Sequence, residues 1–235
     1  MVVELDDDKE PAVVIEPVQF VRNLILVRHA KTEWNSEGRF QGHLDSPVTA
    51  EGMVQIEAVA RRLVDEDIDA VYTSDLGRSI ITADRIARAA HAPVKVDVRL
   101  RERNHGLFEG LTPYIAERRH PELVALVKQN RDPDFAIPLA ESRTEILARM
   151  LPAMVEAMES PGRGSVVVVG HGGIINVFLN HASDQPLMSR TVVPNCSISV
   201  IEYSFGKWRP ITIGDAAHLE LPAASSTKTE FLATS

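Results

Sequence analysis

The chain has 235 residues, 44% of them hydrophobic and 25% charged, which fits one large α/β domain or two small ones and lies outside the disordered range. Its formal net charge of −8 argues against broad attraction to nucleic acid or an anionic membrane, so any anion it binds must be drawn by local charge. The single cysteine, Cys196, excludes an intramolecular disulfide framework and every multi-cysteine metal site; it is expected to be a small buried hydrophobe in a reducing compartment.

Residues 1–21 read as a flexible N-terminal extension. Their Asp6-Asp7-Asp8-Lys9-Glu10 run stands where an export signal needs a basic start and an apolar stretch, so a cytoplasmic protein is expected. Residues 24–27 form a branched aliphatic run, which predicts a buried strand ending at Arg28. Ile56, Val59, Ala60 and Leu63 share one helical face, and Thr49 is a fitting cap for that helix. Residues 69–73 predict a second strand and 78–90 a second helix, so β and α alternate, which favours parallel pairing with helices over the sheet.

Further along, Ile146, Met150, Met154 and Met158 recur every four residues beside Leu147, Leu151 and Val155, predicting a long core-facing helix that Pro152 should kink or restart. Residues 166–169 predict the clearest buried strand. It runs through Gly170-His171-Gly172-Gly173 into the apolar-periodic helix of 174–179. No apolar run approaches the roughly 20 residues that span a bilayer. Residues 197–203 and 208–213 predict a closing hairpin, and the 191–208 region offers an edge for pairing into a homodimer. The fold class expected is α/β, a three-layer α/β/α sandwich with a mostly parallel sheet. The domain should span 22–219, followed by a flexible tail at 220–235.

In a parallel sheet, ligands bind at the carboxyl ends of strands. Taken alone, Arg28-His29 is an ordinary surface dipeptide, but it ends the first strand. The second strand ends in Thr73-Ser74-Asp75 with Arg78 just beyond, and the 166–169 strand ends in His171 with two glycines. Arg99-Leu100-Arg101-Glu102 adds a carboxylate after a fourth extended segment. Arginine forks and a helix N-terminus after Gly172 suit a phosphate. Between two arginines His29 should stay neutral, and so nucleophilic.

Leu26-Val27-Arg28-His29-Ala30-Lys31-Thr32-Glu33-Trp34-Asn35 resembles the signature of the histidine phosphatase superfamily, which includes the cofactor-dependent phosphoglycerate mutases. Gln41-Gly42 with Asp45-Ser46-Pro47-Val48-Thr49, Ser74-Asp75-Leu76-Gly77-Arg78 with Thr82-Ala83, Leu100-Arg101-Glu102 with Gly106 and Glu109-Gly110-Leu111-Thr112, and Gly170-His171-Gly172-Gly173 match in order, so the resemblance covers roughly residues 24–219. It implies a phosphoglycerate mutase-like fold and a phosphorylated nucleophile at His29. It also implies that Arg28, Arg78, Asn35 and His171 hold the transferring group, that Glu102 is the proton donor, that the Gly172 N–H contacts phosphate, and that Gln41 and Gly42 border the substrate. His105 follows the proposed acid closely and is a candidate pocket residue.

The reaction so implied is hydrolysis of a small phosphorylated metabolite, without metal or cofactor. A phosphoglycerate mutase, which would need a bisphosphate primer, is the alternative. The mutases carry a longer segment with paired arginines leading to a proline run, whereas here Arg118-Arg119-His120-Pro121 comes early and reads as a solvated helix face. A non-catalytic phosphate-binding or scaffold protein is a further alternative, although both nucleophile and acid are present. A P-loop is disfavoured by the missing Gly-Lys-Ser/Thr ending, and zinc ligation by the lack of closely spaced histidines. Three departures from the family pattern stand out. Ala30 and Ala140 replace usual glycines, the first either crowding the substrate or filling space, and Ser79 replaces a commoner alanine, as a cap or as a phosphate neighbour.

Overall fold

A computed structural model describes residues 21–130, 132, 134–183 and 191–220. The extension expected at 1–21 and the tail at 220–235 therefore lie, apart from Val21 and Glu220, outside the described residues, as does Pro133. In chain order the elements are β1 (Arg22–Arg28), α1 (Glu33–Glu37), α2 (Ala50–Arg62), β2 (Ile68–Thr73), α3 (Gly77–Ala90), β3 (Val94–Val96), α4 (Pro113–Arg119), α5 (Pro121–Gln129), α6 (Arg143–Met158), β4 (Ser165–Gly170), α7 (Gly172–Ala182), β5 (Ile198–Ser204) and β6 (Lys207–Asp215). Short 3₁₀ turns lie at Val98–Leu100, Gly106–Phe108 and Ala217–Leu219.

The strands form one sheet in the order β3-β2-β4-β1-β5-β6. The first four are mutually parallel, and the β5–β6 hairpin joins β1 antiparallel. The hairpin turns through Phe205 and Gly206, both at positive φ, the pairing a tight primed turn requires.

Side-chain alternation divides the central strands between two helical layers. Leu24, Leu26, Val166 and Val168 pack with Ile146, Met150, Met154 and Met158 of α6 and with Phe178 of α7. Ile25, Val27, Val167 and Val169 pack with Ile56 and Val59 of α2 and Ile86 of α3. At about 1.5–3 kcal/mol for each large aliphatic side chain taken from water, these two faces dominate the stability of the fold. The three-layer sandwich read from the sequence is the fold observed.

Thr49 caps α2 by accepting from the Gly52 N–H, as expected. Pro152 does not restart its helix. α6 runs unbroken through it for 16 residues, held by the buried methionine face, whose burial outweighs the one backbone N–H that proline lacks. A third, smaller cluster joins Phe108, Ala116 and Ile137 to Phe40, Leu111, Leu123 and Val124, forming a cap from α4, α5 and the segment after Glu102. Among the described residues no helix is long and apolar enough to cross a membrane.

Candidate active site

Strand register brings the expected residues to one sheet edge. Arg28 is level with Gly170, and Thr73 with Val169, so His29, His171 and Ser74 emerge from three neighbouring strands within a residue of one another. The rings of His29 and His171 lie 5.1 Å apart. Both are buried, at 3% and 0% exposure.

His29 is held on several sides. Its N–H donates to the Gly170 carbonyl at 2.9 Å, and its own carbonyl accepts from Asn195 Nδ2 at 2.8 Å. Its Nδ1 lies 2.7 Å from the Ala30 carbonyl oxygen. A carbonyl can only accept, so Nδ1 carries the hydrogen, and in the neutral ring the lone pair is left on Nε2. Burial, then the Arg78 and Arg28 guanidiniums, hold the imidazole well below its ordinary pKa. Burial, followed by Arg78, His29, Arg28 and Arg149, does the same for His171. His171 Nε2 shares a hydrogen with Ser74 Oγ at 2.8 Å, while its buried Nδ1 has no hydrogen-bond partner among the described residues.

In the unfolded chain both imidazoles take up protons near 6.5, whereas in the fold they stay neutral to lower pH. The unfolded state then binds more protons below that value, so these histidines make stability fall as pH drops. The expected loss is up to roughly 1.4 kcal/mol per pH unit for each of them. Urea midpoints measured at about pH 7.5 and about pH 5.5 check this. Equal midpoints would mean that the folded histidines protonate as free ones do.

Arg78 is 1% exposed at the start of α3. It donates to the carbonyls of Leu44 (2.7 Å) and Gly42 (2.8 Å) and to Asp45 Oδ1 (3.0 Å), so it staples the 42–45 loop beside the histidines. Its buried Nε has no partner among the described residues. Gly42 has φ +57°, and a Cβ there would lie on Glu109 Oε1, so the loop's close approach requires glycine. Gln41 is buried next to it, its Oε1 unpartnered among the described residues. The Arg28 guanidinium lies against Gly172 and donates to the Val193 carbonyl at 2.7 Å.

Glu102 is 9% exposed and caps α7. It accepts from the Gly173 N–H (3.0 Å), the Ile174 N–H (3.1 Å) and the Arg103 N–H (2.8 Å). Asn35 turns its Oδ1 to Thr32 and Asn195, and His105 packs against Phe40 in a tilted ring contact with centroids 5.3 Å apart, within the cap. A Cβ on Gly173 would come within 2.4 Å of Glu102 Oε1. Because that atom ends a flexible side chain, Gly173→Ala should leave the melting temperature nearly unchanged while displacing the carboxylate. The expected activity loss is about 10- to 100-fold, read from kcat with the melting curve as control.

The structure accounts for two of the three departures. Ala30 is fully buried with Val27, Ile56 and Val59, so its methyl fills core space. Ser79 is neither cap nor phosphate neighbour, because its hydroxyl bonds Thr73 Oγ1 and the Val169 carbonyl inside the α3–sheet interface. Cys196 is buried, and burial pushes its thiol up to about 12. His43 reaches the Glu102 carbonyl with Nε2 at 2.9 Å. Asn195 was not anticipated.

A profile of the histidine phosphatase superfamily (branch 1) matches residues 24–216. The probable phosphoglycerate mutase GpmB of Klebsiella pneumoniae subsp. pneumoniae is 35% identical over 212 residues, covering 84% of this chain and 95% of its own. Among solved structures, Bacillus stearothermophilus YhfR superposes with a TM-score of 0.76 at 29% identity, over 85% of this chain and 100% of that one. A mycobacterial glucosyl-3-phosphoglycerate phosphatase, solved in complex with VO3, gives a TM-score of 0.72 at 27% identity, over 83% and 100%.

Proposed function

We propose that this chain, which belongs to the histidine phosphatase superfamily (branch 1), hydrolyses small phosphomonoesters through a phosphohistidine on His29. The observation that carries the reading is the neutral His29 ring, its Nδ1 turned to the Ala30 carbonyl and its Nε2 left as the nucleophile beside two arginines. Nε2 attacks phosphorus, the bond to the substrate oxygen breaks, and Glu102 gives its proton to the departing alkoxide. Water then attacks the phosphohistidine and yields its proton to Glu102. The P–N bonding pair returns to Nε2, and inorganic phosphate leaves.

Arg28 and Arg78 balance the charge on the equatorial oxygens throughout, and the neutral His171 ring donates a hydrogen bond to them. The buried Arg78 Nε and His171 Nδ1, left without partners among the described residues, support this role, since such atoms are costly unless a ligand meets them. The Gly172 N–H and the Asn35 amide complete the phosphate contacts, while Gln41, Gly42 and His105 border the leaving group. Phosphate or vanadate in relatives fits a phosphorylated small substrate here.

The relatives named as probable phosphoglycerate mutase favour a second reading, return of the phosphoryl group to a phosphoglycerate instead of to water. Arg118 and Arg119 are exposed on the last turn of α4 and favour hydrolysis, because the paired arginines that grip a second anionic group in mutases are here a solvated face. Brief exposure to a ³²P-labelled phosphomonoester, followed by quenching, should leave acid-labile, base-stable label on the protein. Phosphate release from a substrate panel, set against 3- to 2-phosphoglycerate conversion with a bisphosphate primer, separates the two readings. Conversion outpacing release would overturn the hydrolase assignment.

A further inference from the structure

Glu102 lies on an irregular segment between two 3₁₀ turns, with no strand or helix of its own to hold it. A side chain of α6, which packs on the same face of the sheet as Leu100, grips that segment along most of its length. Arg149, in α6, donates from Nη1 to the carbonyls of Arg99 (2.7 Å) and Arg101 (2.9 Å), and from Nη2 to the carbonyl of Glu102 itself (3.0 Å). Its Nε and Nη2 also form a two-pronged pair with Glu141 at 2.7 and 2.9 Å. Glu141 in turn accepts from the Asn104 N–H at 2.8 Å. The two side chains thus grip residues 99–104 by carbonyls on one side and by an N–H on the other, and the Glu102 carboxylate is pressed onto the N-terminus of α7.

We infer that Arg149, braced by Glu141, is a positioning residue for proton transfer to the leaving group. It touches neither substrate nor His29 and acts through Glu102. The inference rests on the assignment of Glu102 as general acid, and it goes beyond that assignment by naming what aims the acid. Lysine keeps the positive charge but is a point donor that cannot span three carbonyls and a carboxylate in the fixed plane of a guanidinium. Arg149→Lys should therefore leave the charge near His171 in place while loosening the acid.

The test compares two leaving groups in the same enzyme sample. p-Nitrophenolate departs as a stable anion and needs little protonation, whereas a simple alkoxide, as from glycerol phosphate, needs a proton in the transition state. In Arg149→Lys and Arg149→Met, kcat/KM for the alkyl ester should fall by about 100-fold, the cost of an acid misplaced by an ångström. The aryl ester should lose less than about a tenth as much. Glu141→Gln should show the same bias with a smaller loss. The ratio of the two substrates is independent of the fraction of protein folded, so a merely structural defect moves both rates together.

Equal losses on both esters, or none on either, would overturn the role given to Arg149. Labelling of wild-type enzyme with the alkyl ester distinguishes this from failure of the underlying mechanism. Equal losses in an enzyme that forms phosphohistidine sink the inference about Arg149 alone, whereas absence of phosphohistidine removes the mechanism and this inference with it.

Discussion

His29→Ala is expected to abolish turnover, with a loss of about 10⁴-fold or more, the scale seen when a covalent nucleophile is removed. The effect should be this large because no neighbouring group can substitute. His171 lies one ring away, but its Nε2 is engaged with Ser74 Oγ, and its ring follows a different strand. Anion binding should survive, since Arg28, Arg78 and the α7 N-terminus do not depend on the imidazole. The variant should bind vanadate within about tenfold of wild type while taking up no label from substrate, so that chemistry is lost and recognition kept. Purified His29→Ala with full activity would end the mechanism.

Glu102→Gln should cost about 10²–10⁴-fold in kcat for alkyl phosphates, the usual worth of a positioned acid. Glutamine is not a silent replacement here. Glu102 accepts three N–H donors across its two oxygens, and an amide has only one oxygen. Either the Gly173 N–H or the Arg103 and Ile174 N–H groups would face an NH₂, which moves the side chain off the helix end. The loss should therefore appear as a fall in kcat with a strong bias against poor leaving groups. A variant that hydrolyses alkyl and aryl phosphates with the wild-type ratio would show that Glu102 donates no proton.

The layers of this fold were legible because burial writes itself into periodicity. Residues 24–27 and 166–169 are apolar on both faces, as central parallel strands must be, and the Met150, Met154 and Met158 stripe is one face of α6. Those strands also pointed to the candidate site, since His29 and His171 follow them directly. Elements that bury little left a fainter trace. β3, Val94-Lys95-Val96, is exposed at all three of its residues, and three alternating positions are too few to mark more than an extended segment.

The cap helices escaped for a related reason, because α4 and α5 serve only the small third cluster. Thr112-Pro113, an N-cap followed by proline at the first helical position, was nevertheless a readable start signal. So was Ser142 with Glu145, whose capping box begins α6 three residues before the first apolar position used. Arg149, Asn195 and His43 could not be found from pattern at all. Each meets a backbone carbonyl far away in sequence, and a carbonyl is the same at every position. Ser79 was visible as a departure, but its partners Thr73 and Val169 are set by how α3 packs on the sheet.

The hydrogen bond from the His29 ring to its neighbour's carbonyl has a regiochemical consequence. Imidazole can be phosphorylated at either nitrogen, giving two isomers that differ in lifetime and can be told apart by isomer-selective antibodies. With Nδ1 facing backbone at 2.7 Å, there is no room on that side for phosphorus. The trapped enzyme should therefore carry the tele isomer alone, and reagents for the pros isomer should pass it by.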